Sequence, residues 1–298
     1  MIKSLEQLLE EARNKPKKSV AIAQAADEDV LKSADEAVKR GLATFKLAAD
    51  PAKLMPLIEK MGLDWAKGNI IEAKNDADAA RKAVLAVREG QAEAVMKGHL
   101  HTGTFLKAVL NKEEGLRGDG LLSQCGVYNN PLNGKLLLIT DCAMNITPDV
   151  LQKKQIVENA VSLARRLGVE LPKVAVLTAL EIVNVEMQET IDAAILSKMA
   201  DRGQIRNCIV DGPFALDNAL SAEAAHHKGF SSPVAGDLDV LLVPDLKTGN
   251  AVHKSISYFT PIKNAALCLG AKAPVIMTSR TDHIETKVFY IALGCYAA

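Results

Sequence analysis

Aromatic residues make up only 4% of the 298 positions, with a single Trp. The chain therefore carries little of the stacking surface that single-stranded nucleic acid requires. Charge bias is missing too: 36 Lys and Arg balance 36 Asp and Glu. With no net field there is no general attraction for nucleic acid or a membrane surface. No apolar run reaches membrane-spanning length, and Met1-Ile-Lys-Ser-Leu-Glu-Gln7 is a polar helix start without the apolar core of a signal peptide. Cys125, Cys142, Cys208, Cys268 and Cys295 are odd in number and never spaced as CxxC, and four sit in or beside apolar runs. Buried thiols are expected from that pattern in place of bridges or metal ligands. What these absences leave is a soluble, cytoplasmic protein.

What is present is Ala, Val, Leu and Ile in alternating apolar runs, in a chain too long for one small core. Strand-like runs at 19–24, 43–48, 68–72 and 94–96 alternate with helical stretches at 27–40, 51–61 and 77–88, and Gly41 and Gly90 end two of them. Strand-like runs at 121–127, 134–140, 173–178, 208–213 and 239–244 follow, with helices at 149–167 (capped by Thr147), 188–202 and 221–228. The alternation predicts an α/β protein with mainly parallel sheets covered on both faces. The polar, glycine-rich stretch 111–120 marks a domain crossing near residue 120.

Ligands bind at strand C-termini in such sheets, so the loops there carry the functional reading. Gly98 and Gly103 allow close backbone approach, and Thr102, Thr104 and Lys107 supply donors. His99 and His101 lack a third ligand at metal spacing and read as ligand-facing or solvated. Asp245-Leu-Lys-Thr-Gly-Asn250 with Lys254 is a glycine-bearing loop opening a helix, a pattern suited to phosphate. Asp211-Gly-Pro213 reads first as a tight turn, and Asn145, Glu181 and Asn184 first as caps. In residues 274–287 a strand (Val275, Ile276, Met277) stops at Thr278 and Ser279, followed by Arg280 and by Asp282 at an N-cap position three residues before Glu285. Hydroxyls, free N–H groups and a guanidinium at a helix start suit an anion. An ordinary capped helix with a surface arginine fits the same residues.

These segments, taken together, resemble the phosphate acetyl/butyryltransferase family, the butyryl branch in particular. The resemblance is carried by Met96-Lys-Gly98, Leu138-Ile-Thr-Asp-Cys-Ala-Met-Asn145, Pro172-Lys-Val-Ala-Val-Leu-Thr-Ala-Leu-Glu181 and Arg202-Gly-Gln204. It continues in Val210-Asp-Gly-Pro-Phe-Ala-Leu-Asp-Asn218, Val240-Leu-Leu-Val-Pro-Asp245, Gly249-Asn250 with Lys254, and Thr278-Ser-Arg-Thr-Asp282. The match is collinear and runs essentially end to end.

The resemblance implies two α/β domains related to isocitrate and isopropylmalate dehydrogenases, with an interdomain cleft. Domain one is then residues 1–120 plus 266–298, and domain two residues 121–265. It implies reversible acyl transfer between coenzyme A and inorganic phosphate by direct thiolate attack on the acyl phosphate. Acyl-CoA, phosphate and acyl phosphate are the partners; no metal and no tightly bound cofactor are expected, and the chain is expected as a homo-oligomer, a dimer or higher. Catalytic roles fall on Ser279 and Arg280, with Asp282 and Glu285 as candidate bases; phosphate and coenzyme A contacts fall on Gly249, Asn250, Lys254, Thr102, Lys107 and Ser123. Two positions depart from the acetyltransferase pattern: Thr286 stands where those relatives have an aspartate, and Lys107 where they have an arginine. A thiol with pKa of about 8.5 needs modest help to ionise, so a displaced carboxylate suffices. A lysine holds phosphate as a point charge without the bidentate fork. An NAD-dependent decarboxylating dehydrogenase on the same fold would need an aspartate cluster for a divalent metal and a tyrosine–lysine pair, which Asp211 and Asp217 and the four tyrosines do not form. A catalytically silent acyl-CoA-binding relative is the third reading, opposed by the intact Ser279-Arg280 and Gly249-Asn250.

Overall fold

The computed structural model describes residues 1–279 and 281–298. The chain begins with α1 (Leu5–Asn14), β1 (Lys18–Ala23), α2 (Glu28–Lys39), β2 (Ala43–Ala49), α3 (Pro51–Met61), β3 (Ile70–Glu72), α4 (Asp76–Arg88), β4 (Ala94–Lys97) and α5 (Thr102–Val109). It continues with β5 (Ser123–Asn129), β6 (Leu136–Thr140), α6 (Val150–Arg166), β7 (Lys173–Leu177), α7 (Gln188–Asp201), β8 (Ile209–Phe214), α8 (Leu216–Leu220), α9 (Ala222–His227), β9 (Val240–Leu242) and α10 (Leu246–Phe259). The last elements are β10 (Asn264–Leu269), β11 (Val275–Met277) and α11 (Ile284–Ala297).

The residues divide into two compact units: a terminal unit of Glu6–Gly120 with Ala265–Ala298, and a central unit of Met1–Leu5 with Leu121–Asn264. Met1–Leu5 is held in the central unit by two hydrogen bonds, Ile2 N–H to the Leu167 carbonyl and Leu5 N–H to the Asn129 side-chain Oδ1, both 2.8 Å.

In the terminal unit the strand order is β3-β2-β1-β4-β11-β10, parallel except where β10 meets β11. Every residue of β4 is buried, as a parallel strand covered on both faces requires. Right-handed crossovers place α2 and α3 on one face, and α4, returning the chain from β3 to β4, on the other. The chain-terminal α11 packs with α2, and its Gly294 lies against Ile276. The face of Ile276 is therefore the α2/α11 face. Lys97, opposite Met277 and Ala23 in register, points to the α4/α5 face.

In the central unit the order is β5-β6-β9-β7-β8, parallel except for the β5–β6 pair. Its core gathers Ile139, Leu177, Phe214, Leu241 and Val243 around Tyr128.

Local chemistry accounts for most element ends. Gly41 and Gly168 close α2 and α6 with φ of 73° and 91°, a conformation that a Cβ disfavours. The cap of α6 is Asp149, two residues beyond the expected Thr147. Its carboxylate accepts Gln152 N–H at 2.8 Å while Gln152 Oε1 accepts Asp149 N–H at 2.9 Å, a reciprocal box that outcompetes a lone threonine. Helix α5 starts at Thr102, with Thr102 and Gly103 in its first turn. Helix α8 and strand β10 were not expected; each is short or apolar without periodicity and takes its state from its neighbours.

Candidate active site

In the terminal unit the strand ends of β1, β4 and β11 lie side by side. Gln24, with φ of 58°, turns the chain after β1, and the backbone after β4 is stapled to it. Gly98 N–H donates to the Ala23 carbonyl at 2.8 Å and His99 N–H to the Gln24 carbonyl at 2.9 Å. A Cβ at position 98 would run into both carbonyls, which is why this motif carries glycine. His99 Nδ1 lies 3.0 Å from Asp27 Oδ2, and His101 is exposed at the start of α5. Among the described residues no group of three or more His, Cys, Asp and Glu side chains is placed to hold a metal ion.

Beyond β11, Ser279 and Asp282 are hydrogen-bonded to each other. Asp282 Oδ2 accepts Ser279 N–H at 2.7 Å, and Asp282 N–H donates to the Ser279 carbonyl at 3.3 Å. Ser279 Oγ lies 3.0 Å from Thr281 Oγ1 and remains partly open to solvent. Asp282 is not the helix cap that the sequence suggested. Helix α11 starts later, at Ile284, with His283 at the N-cap position and no side-chain cap bond. The expected capping box with Glu285 does not form either. Glu285 is gripped by the Arg40 fork at 2.7 and 3.1 Å, and Arg40 also bonds Glu36 at 2.7 Å. The two carboxylates hold the guanidinium firmly in its charged form, its pKa raised mainly by the Glu285 bond. Arg280 lies outside the described residues.

Of the other expected contacts here, Thr102 is exposed at the first position of α5. Lys107 is exposed in its last turn, over a small groove of about 200 Å³ shared with Arg81, Thr104 and Glu114. Sequence reasoning passed over Lys97. It is only 6% exposed and closes an otherwise apolar strand; a lone basic residue after Ala94-Val-Met96 was the available signal.

In the central unit the loops after β6 and β9 are bonded together. Asp141 is a buried hub whose carboxylate accepts N–H groups of Gln124, Ala143, Met144 and Asn145 at 2.9 to 3.2 Å, and the Asn145 amide at 2.5 Å. Leu246 N–H reaches the Ile146 carbonyl at 3.2 Å. Gly249 is buried against the Asp141 carbonyl, where a Cβ would collide. The stretch expected to open a helix at 245–250 forms the first turn of α10. Asp245 caps it through Thr248 N–H at 2.8 Å, and Gly249 N–H is spent on the Asp245 carbonyl at 3.0 Å. Gly249 is thus closely packed, and the polar groups beside it are the exposed Asn250 and the half-buried Lys254, whose Nζ is 5.8 Å from the Tyr258 ring centre.

Ser123 does not reach solvent: it is 0% exposed and accepts the Asn159 amide at 3.0 Å, so it serves the interior rather than a ligand. Asn145 and Glu181 are likewise spent internally, Asn145 on Leu122 and Asp141, Glu181 on Asn218 and Lys228. Burial pushes the Cys142 thiol up to about 12, which removes it as a nucleophile. One buried pair had no sequence signal: Tyr128 Oη and His253 Nδ1 share a hydrogen bond at 2.6 Å, and burial lowers the His253 pKa to about 4.

A family model described as "Phosphate acetyl/butaryl transferase" matches residues 66–295. The chain belongs to that family. It is 45% identical, over 298 residues, to a phosphate butyryltransferase of Clostridium acetobutylicum, covering 100% of this chain and 99% of that protein. Among solved structures it is similar to a branched-chain phosphotransacylase from Enterococcus faecalis V583, at 32% identity and a TM-score of 0.81, over 94% of this chain and 98% of that one. A 4-hydroxythreonine-4-phosphate dehydrogenase from Klebsiella pneumoniae matches with a TM-score of 0.62 and 13% identity, over 95% of this chain and 99% of that one. At that identity the likeness is one of fold alone. Within the family's matched region lie both strand-end clusters, Lys97 to Thr102 with Ser279 to Asp282 in one unit and Asp141 with Gly249 to Lys254 in the other. No helix among the described residues is long and apolar enough to cross a membrane.

Proposed function

We propose that the chain is a phosphate acyltransferase moving a short acyl group, butyryl or a branched relative, between coenzyme A and inorganic phosphate. The observation that carries this is the 45% identity to a phosphate butyryltransferase along the whole chain. The branched-chain phosphotransacylase at 32% identity supports a short acyl group.

The chemistry asks little of the protein beyond charge and position. In the direction of thioester synthesis, the coenzyme A sulfur attacks the acyl phosphate carbonyl carbon. The C–S bond forms, the C–O bond to phosphorus breaks, and phosphate leaves with the electron pair. Negative charge grows on the carbonyl oxygen and on the departing phosphate, and fixed donors beside them lower the barrier. The Ser279 hydroxyl and the Arg280 guanidinium are assigned to that task. Asp282 is assigned to take the thiol proton: its carboxylate is half-buried and held within one turn of Ser279. Glu285, occupied by Arg40, is assigned to structure. Asn250 and Lys254, with Thr102 and Lys107, are assigned to the phosphates of the substrates.

The reading extends to a cytoplasmic homo-oligomer, a dimer or higher, working without a metal or a tightly bound cofactor. The exposed run Ile182, Val183, Val185 supports an apolar contact with a second copy. Kinship of fold with isocitrate dehydrogenases is part of the proposal, supported by the dehydrogenase likeness. The test is thiol release from an acyl-CoA series with phosphate, with and without a chelator. Release greatest with butyryl-CoA or a branched analogue, unchanged by the chelator, is expected; no release with any acyl-CoA overturns the function.

A further inference from the structure

We propose that the groove between the C-terminal ends of α6 and α7 binds the pyrophosphate group of a nucleotide. The site is independent of the acyl transfer proposed above and takes up the Arg202-Gly-Gln204 motif, which that function leaves unused. The groove holds about 1160 Å³ and lies within the central unit. Arg165, Arg166, Arg202 and Arg206 line it, four of the ten arginines in the chain, and no lysine joins them among the described residues. An arginine fork takes phosphate oxygens in pairs, which a lysine does not. Helices α6 and α7 end where the chain turns to start β7 and β8, so the groove opens at the strand-start edge of the central sheet. Asp141 and Asp245 follow the parallel strands β6 and β9 at the opposite edge.

The helix ends do not account for this much positive charge. Arg165 and Arg166 lie in the last turn of α6 and Arg202 caps α7, and each helix end carries about half a negative charge. Glu158 also lines the groove but is bonded by Lys154 at 2.7 Å, and Asp201, next to Arg202, is bonded by Lys198 at 2.6 Å. Glu170 is the other carboxylate on the wall. Four guanidiniums therefore face about two negative charges, one from Glu170 and about one from the two helix ends, leaving about two positive charges over. Arg165, Arg202 and Arg206 make no ion pair among the described residues. Arg206 Nε donates to the Gly203 carbonyl at 3.1 Å, which sets its fork and leaves the two terminal nitrogens for a ligand. A pyrophosphate group supplies the missing charge and paired oxygens for the forks. Val161 and Val169 give the same groove an apolar patch for the base or sugar.

Pyrophosphate occurs free, in nucleoside diphosphates and in coenzyme A, so the test separates the three sources. Calorimetry on the full chain measures the binding of inorganic pyrophosphate, ADP and coenzyme A. The proteins are the wild type, Arg202→Ala with Arg206→Ala, Arg202→Lys with Arg206→Lys, and Lys254→Ala, with matched thermal melts. Losing two charge-assisted contacts weakens ADP and pyrophosphate about 100-fold in the alanine pair, and the lysine pair recovers part of the loss. Lys254→Ala, at the other edge of the sheet, binds ADP within about twofold of wild type. The wild type binds ADP more tightly than inorganic pyrophosphate, and the alanine pair keeps its coenzyme A affinity within about twofold. A wild type that binds neither ADP nor pyrophosphate at millimolar concentration overturns the site, and so does an alanine pair that binds both as the wild type does. Inorganic pyrophosphate bound as tightly as ADP overturns the nucleotide assignment. A coenzyme A affinity that falls with that for ADP overturns the independence from acyl transfer. If the alanine pair does not fold, Arg165→Gln is judged by the same three affinities.

Discussion

Asp282 and Ser279 are bonded in both directions, carboxylate to N–H at 2.7 Å and N–H to carbonyl at 3.3 Å, so the turn after β11 is fixed by the residue assigned as base. A side chain held this way faces Ser279 without guarding the helix, while Glu285 is taken by Arg40, so the settings of the two nearby carboxylates differ.

Asp282→Asn is expected to lose about 10²- to 10⁴-fold in rate near neutrality and to recover in part as pH rises and the thiol ionises unaided. Glu285→Gln removes only a surface fork to Arg40, worth about 0.2 to 1 kcal/mol, and keeps its rate. Matched pH–rate profiles and thermal melts check both. An Asp282→Asn enzyme with wild-type turnover at pH 7 would remove it as the base.

Arg280→Ala is expected to cost about 10²-fold or more in turnover, the size typical of one lost transition-state donor. Arg280→Lys restores part of it, since a point charge does not replace a bidentate fork. Steady-state kinetics on both variants decide whether guanidinium geometry matters.

Gly249→Ala is expected to destabilise by about 1 to 3 kcal/mol, because the added methyl meets the Asp141 carbonyl and the Val243 side chain. Gly98→Ala meets two carbonyls and behaves alike. Denaturant unfolding measures both, and a methyl accepted at either position without loss would refute the packing account.

Lys153 and Asp192 form a buried pair at 2.6 Å, with Gln188 donating to the second Asp192 oxygen at 2.9 Å. Lys153→Met strands a buried carboxylate and is expected to cost about 3 to 5 kcal/mol. Adding Asp192→Leu should recover much of that loss, because no unpaired charge remains. A double variant less stable than Lys153→Met alone contradicts this.

His253 has its pKa lowered to about 4 by burial, so folding favours the neutral ring. Its contribution is present above the unfolded value of about 6.5 and is lost as pH falls from there towards 4, about 3 kcal/mol in all. His253→Gln keeps a hydrogen-bonding group near Tyr128 and lacks the titration. Its stability relative to wild type should therefore rise by about that amount between pH 7 and pH 4. A constant difference across the range would mean that the ring does not titrate as described.

The apolar runs, the helix stops at glycine and the ordered family motifs were legible in the sequence, because each depends on residues within a turn or a strand of one another. The same locality brought Ser279 and Asp282 to notice together. It failed where one bond between distant segments outweighs a local preference. Glu285 reads as a capping residue until Arg40, 245 positions away, takes its carboxylate. Ser123 reads as an open donor until β5 is buried, and nothing local shows that Gly249 has Asp141 packed against it. Lys97 reads as the polar end of a strand until β11 pairs beside it and puts Met277 at its side. Strand register and burial are properties of segments meeting in space. Periodicity along the chain records which face a residue takes, and only the folded sheet decides what that face meets.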